Sequence, residues 1–197
     1  MKIIKLLITV VIFMPLSLLA DEIYLPHFKD YPVELSSGPF ASTLKLTSKQ
    51  QLFSKVWRDK IFSELNKAVN FAGHYRLYVS RGGEFKKECG DKGWVCGWVI
   101  DKISGMVVSE LPEFNQNTAY FSIIDNGTPS PDSFYIEFYP NRTMIVIGGQ
   151  NTPRKKVGHF SYDDIKCAYS TYNYSERKFL ILSSIGCKDD GEWIFGD

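Results

Sequence analysis

The sequence predicts an α+β protein: a mostly antiparallel β-sheet, stapled by disulfides, with one N-terminal amphipathic helix packed on it. Three observations carry this. Apolar residues recur at helical spacing in one stretch only, before residue 70. After it the period changes to two, in short aromatic segments separated by turns. And the chain's cysteines, Cys89, Cys96, Cys167 and Cys187, number four, an even count in a chain that reads as exported.

The helix is predicted over TSKQQLFSKVWRDKIFSELNKA, residues 47–68. Ser48 with Gln51 forms a capping box at its start. Leu52, Phe53, Val56, Trp57, Ile61 and Leu65 recur at three- and four-residue steps, which gives one buried face. Before it, residues 32–42 are turn-rich, and TLKL (43–46) alternates weakly enough for a short strand.

From residue 74 side chains alternate. Tyr75, Leu77 and Val79 share one face of a strand, and His74, Arg76 and Tyr78 the other. Further strands are predicted at 94–101 and 106–109, joined by a turn at 102–105. Others follow at 119–124, 133–139, 143–147, 158–162, 166–172 and 179–183. Pro140-Asn141-Arg142 marks a hairpin between two of them. Gly148-Gly149-Gln150-Asn151 reads as a turn. No internal repeat, low-complexity tract or linker interrupts the chain, so residues 21–197 are expected to form a single globular domain.

Residues 1–20 have the layout of a secretory signal peptide. Lys2 and Lys5 precede an apolar run at 6–20, and Asp21 and Glu22 follow it. The run is shorter than the ~20 residues of a membrane span, and Pro15 disfavours a continuous helix. Cleavage is expected after Ala20, although Leu18 is bulky for its position; the competing reading is a retained anchor. Export places the mature chain in the periplasm or outside the cell. Loss of Lys2 and Lys5 takes the formal net charge from +1 to −1, so nothing electrostatic draws the chain to nucleic acid or an anionic membrane.

Export also decides how the cysteines read. Three disulfide pairings are possible; Cys89–Cys96 and Cys167–Cys187 are favoured because each pair is local. Zinc is the rival, but zinc pairs are usually separated by two to four residues, unlike either pair here.

Within 70–105, NFAGHYRLYVSRGGEFKKECGDKGWVCGWVIDKISG gathers His74, Cys89, Cys96 and Asp101. His74 could serve a cysteine nucleophile as base, but that needs a free thiolate, which an oxidising compartment disfavours. Asp101 could orient a histidine; more simply, it opens the turn 101–105 by accepting backbone N–H groups. His27 and His159 have no partner at motif spacing. Esterase, zinc-protease and phosphate-loop motifs are absent, and no metal or cofactor is expected. The triplets at Asn126, Asn141 and Asn173 match glycosylation acceptors formally.

The segment resembles an uncharacterised family of small exported bacterial proteins. The resemblance rests on Asn70-Phe71-Ala72-Gly73-His74-Tyr75, Cys89-Gly90, Cys96, Val99-Ile100-Asp101 and Ser104-Gly105. It covers about a fifth of the chain, with the helix before and the strands after in the same order. This chain departs from the pattern by its longer charged insert, SRGGEFKKE, and by lacking a Trp before Cys89. The resemblance implies the fold and the export route, and no reaction.

Three functions fit. The first is an envelope binding or inhibitor protein, concretely an immunity protein against an envelope-targeting toxin, meeting its partner through Arg81, Lys86, Lys87 and Tyr172. The second is a small envelope hydrolase using His74 and Asp101. The third is a structural accessory of the envelope.

Overall fold

The structure is a computed structural model that describes residues 25–81, 83–90, 94–121, 134–151 and 166–186. The leader, the predicted strand at 158–162 and Cys187 lie outside the described residues.

Two antiparallel sheets carry the fold. In the first, the central strand β2 (Trp94–Asp101) pairs with β1 (Tyr75–Ser80) on one side. On the other it pairs with β3 (Met106–Glu110) and β4 (Tyr120–Phe121). The second sheet runs β5 (Tyr135–Phe138), β6 (Met144–Asn151), β7 (Lys166–Ser175) and β8 (Lys178–Gly186) in sequence order. Lys45 makes only an isolated bridge to Met106, so TLKL is not a strand. Residues 148–151 are not a turn; they extend β6, pairing with Ala168, Tyr169 and their neighbours on β7.

The single helix is a correction. Residues 47–68 form two helices, α1 (Ser48–Gln51) and α2 (Lys55–Leu65), and the charged insert adds a third, α3 (Lys86–Cys89). The capping box lies one residue earlier than expected: Thr47 accepts from the Gln50 N–H, and the Gln50 side chain accepts from the Thr47 N–H. Ser54 then starts a new helix by accepting from the Trp57 N–H. Groups freed by the break find partners. The Arg58 guanidinium donates to the Gln51 and Phe53 carbonyls, and Glu88 accepts from the Ser54 N–H at 2.6 Å. The break turns Leu52 and Val56 out to solvent, 73% and 64% exposed, while Trp57, Ile61 and Leu65 stay buried.

Sheet 1 is buried on both faces, which explains why every residue of β2 is buried. Trp94, Cys96, Trp98 and Ile100 face one core with Trp57, Ile61 and Leu65 of α2. Val95 and Val99 face a second core with Phe71, Leu77, Ile145, Ile147, Tyr172 and Tyr174. The order is helix layer, sheet 1, sheet 2.

Candidate functional site

Residues 70–105 build the β1–β2 pair and the insert that joins its strands. Phe71 is fully buried and Trp98 nearly so; Tyr75 packs partly buried on the second core. Gly73 has a left-handed backbone (φ 84°), and a Cβ there would meet the Glu34 carbonyl at 2.8 Å. Its N–H donates to the Pro140 carbonyl at 2.7 Å, which fastens the motif to the β5–β6 hairpin. No side chain fits that approach without displacing backbone.

Cys89 and Cys96 form a disulfide with Cα atoms 5.9 Å apart, buried in the helix-side core. Cys167 is also disulfide-bonded. Neither Cys89 nor Cys96 is therefore a free nucleophile for His74.

Asp101 is buried and fully engaged. Its Oδ1 accepts from the Ile103 and Ser104 N–H groups at 2.9 and 3.2 Å, as the turn reading expects. Its Oδ2 accepts from Arg177 at 3.0 Å, across from the β7–β8 turn. Burial alone would raise its pKa; hydrogen bonds from Ser104 and Ile103 and the nearby His74 outweigh burial and hold it below the usual carboxylate range. His74 Nε2 lies 3.7 Å from Asp101 Oδ1, an ion-pair distance too long for a hydrogen bond. Its ring instead rests against Tyr75, centroids 4.0 Å apart. Ser109, on the neighbouring strand β3, is committed to Tyr174 Oη at 2.9 Å and donates to the Arg177 carbonyl. These contacts fasten sheet 1 to sheet 2.

The charged insert is a fitted plug. Phe85 is buried against Trp98 and Tyr78. Glu84 accepts from the Tyr78 hydroxyl at 2.9 Å. Glu88 takes the Ser54 N–H and hydroxyl, and Lys87 donates to the Leu52 carbonyl at 2.7 Å. Lys86 and Lys87 remain exposed.

The four expected partner residues do not converge. Lys86 and Lys87 share α3, but the exposed Arg81 reaches over the Phe134 ring on the sheet-2 side, 5.3 Å from its centroid. Tyr172 is buried at 5% exposure in the core between the sheets, packed edge-on against Phe179, so it is not a surface residue. Its alternation along β7 could not tell the core face from the outer one.

Sequence reading also passes over two buried charges. Lys102, placed in a turn, is 4% exposed. Its ammonium donates to the Leu65 and Lys67 carbonyls at the C-terminal end of α2, where the helix dipole favours a cation. Burial, then Arg76, lowers its pKa. Glu64, at 1% exposure, receives Lys67 at 2.6 Å and Arg76 at 2.8 Å. Burial opposes its charge, but those hydrogen bonds prevail and its pKa is lowered. Charged residues at helical spacing read as a solvated face, and only the tertiary partner shows otherwise.

Among the described residues no group of three or more His, Cys, Asp or Glu side chains could hold a metal ion, and no helix is long and apolar enough to cross a membrane. Comparison with family models, with curated proteins and with solved structures finds no match.

Proposed function

We propose that the protein is an exported binding protein that inhibits or neutralises another protein of the bacterial envelope, in its most specific form an immunity protein against an envelope-targeting toxin. It belongs, on this reading, with the exported family that residues 70–105 resemble. One observation carries the argument: the surface at α3. There, the exposed Leu52 and Val56 flank Ser54 in sequence, and α3, with its exposed Lys86 and Lys87, is tied to the same segment by Lys87 on the Leu52 carbonyl and by Glu88 on Ser54. The frame beneath is fixed by the disulfide, by Phe85 and by the Glu88–Ser54 contacts. A preordered surface that offers both apolar and charged side chains loses little entropy on docking. Its charge suits a partner with an acidic rim.

The test is capture from the envelope with cross-linking. Leu52→Glu and Lys86→Glu are expected to keep the wild-type melting temperature and to weaken capture about tenfold or more. Capture unchanged by both substitutions overturns the assignment of this surface. The same experiment separates the hydrolase reading. His74→Ala is expected to cost ~1 kcal/mol or less and to leave capture intact; loss of function at unchanged stability makes His74 and Asp101 a working site.

A further inference from the structure

The outer face of sheet 2 holds a second feature, independent of the α3 surface. Tyr135, Glu137 and Tyr139 alternate along β5 and its end, so they share one face. Both tyrosine hydroxyls donate to the Glu137 carboxylate, one to each oxygen. Tyr135 lies opposite Gly148, which has no side chain, and its ring stacks across that gap on Tyr169 of β7, centroids 5.7 Å apart. Tyr139 meets Phe28 edge-on at 4.8 Å.

Tyr169 and Phe28 also line a cavity of about 160 Å³ beside this triplet. Residues 25–28 wall it, and Met144, Val146, Thr171 and Ile185 form its floor. Val146 pairs in register with Glu137, which makes Glu137 the β5 neighbour of the cavity's Val146 edge. A cavity of this size holds about six carbon atoms.

The chemistry at Glu137 is one-sided. A carboxylate only accepts hydrogen bonds, and a phenol that has given its proton to that carboxylate has only acceptor capacity left. Two phenols leave lone pairs of the carboxylate unused, since it has about four acceptor positions. Glu137 is partly exposed, so a ligand can reach it. The lining is apolar apart from His27 on the wall and the Thr171 and Ser183 hydroxyls, and at the Glu137 edge the groups only accept hydrogen bonds, so that edge selects a chain that ends in a positively charged donor. Tyrosine rings add to the attraction for a cation.

We propose that this cavity and its Glu137 edge bind an alkylammonium group, with the alkyl chain between residues 25–28 and the sheet and the ammonium against Glu137 and Tyr139. A lysine side chain and a free alkylamine share this chemistry. The test titrates the isotopically labelled protein with n-butylammonium, with Nα-acetyl-lysine methylamide and with its neutral isostere Nα-acetyl-norleucine methylamide, following the amides of Val146, Thr171 and Ser183 by NMR. Both cations are expected to shift these amides and the isostere to bind at least about tenfold more weakly. Tighter binding of the lysine derivative identifies a side chain as the natural occupant, and tighter binding of butylammonium a free amine. Glu137→Gln is expected to weaken the cations about tenfold or more, and Tyr139→Phe, which keeps the carboxylate, by a few-fold. Equal binding of the isostere, cation binding unchanged in both variants, or no shift with either cation overturns the proposal.

Discussion

Among the described residues, Asp101 and Glu64 are carboxylates whose protonation the fold shifts. Each is buried, and each has its pKa held below the ordinary carboxylate value by hydrogen bonds that outweigh burial. The sign of the pH dependence follows. A carboxylate with a lower pKa folded than unfolded binds fewer protons in the native state. Its contribution is complete above the unfolded value of about 4 and is lost as pH falls through the folded value. The protein is therefore expected to keep its urea midpoint from pH 7 to about 5 and to lose stability below about 4. Asp101→Asn keeps an oxygen for the Ile103 and Ser104 N–H groups while removing the charge that pairs with Arg177. Its stability should be lower than wild type at pH 7, and the gap should narrow towards pH 3. A gap that widens on acidification would mean that Asp101 is not ionised in the native state.

At the scale of elements, the parts of the fold legible in the sequence are those set by local rules. Alternation finds β1, β2 and the β2–β3 turn, because side-chain direction along a strand is fixed by the backbone. The Asp101 turn and Pro140-Asn141-Arg142 hairpin are legible for the same reason. The helix break is not. Thr47–Gln50 and Ser48–Gln51 both satisfy the capping pattern, and the choice rests on Arg58 and Glu88, the second of which arrives from 34 residues away. The α3 surface is half legible: Lys86 and Lys87 are visible as charges, but Leu52 and Val56 belong to it only because the break exposes them. Nor does alternation along β7 say which of its faces meets the core, so nothing local tells that Tyr172 points inward. Gly97 of β2 makes the packing of this strand testable. A Cβ there would meet Leu111 Cγ at 2.7 Å, closer than side-chain atoms pack. Gly97→Ala is expected to cost about 1–3 kcal/mol, because Leu111 has to move within a filled core. Chemical denaturation with Leu111→Ala as a second background checks the cause: the cost of the Gly97 change should fall there.

For the molecule as a whole, the question is whether three layers unfold as one. Each side of sheet 1 has its own core, and β2 contributes to both with alternate residues: Trp98 and Ile100 to the helix side, Val95 and Val99 to the other. Losing either core leaves half of β2's side chains without partners. Polar contacts add to the coupling, with Arg177 on Asp101 and Tyr174 beside Ser109 joining the sheets. The expectation is one cooperative transition. Natural probes report on the layers separately. Trp57, Trp94 and Trp98 all lie in the helix-side core, so tryptophan fluorescence follows that layer; Trp193 lies outside the described residues. Amide exchange at Ile145 and Ile147 follows β6 in the sheet-2 layer. Ile145 is fully buried, and Ile145→Ala should cost about 2–5 kcal/mol through lost burial and the cavity left behind. If the layers are coupled, that substitution, made wholly on the far side of sheet 1, lowers the fluorescence midpoint as much as it lowers protection of the β6 amides. A fluorescence midpoint that stays at its wild-type value while β6 loses protection would show the sheet-2 layer opening alone, and would assign cooperativity to the helix and sheet 1 without it.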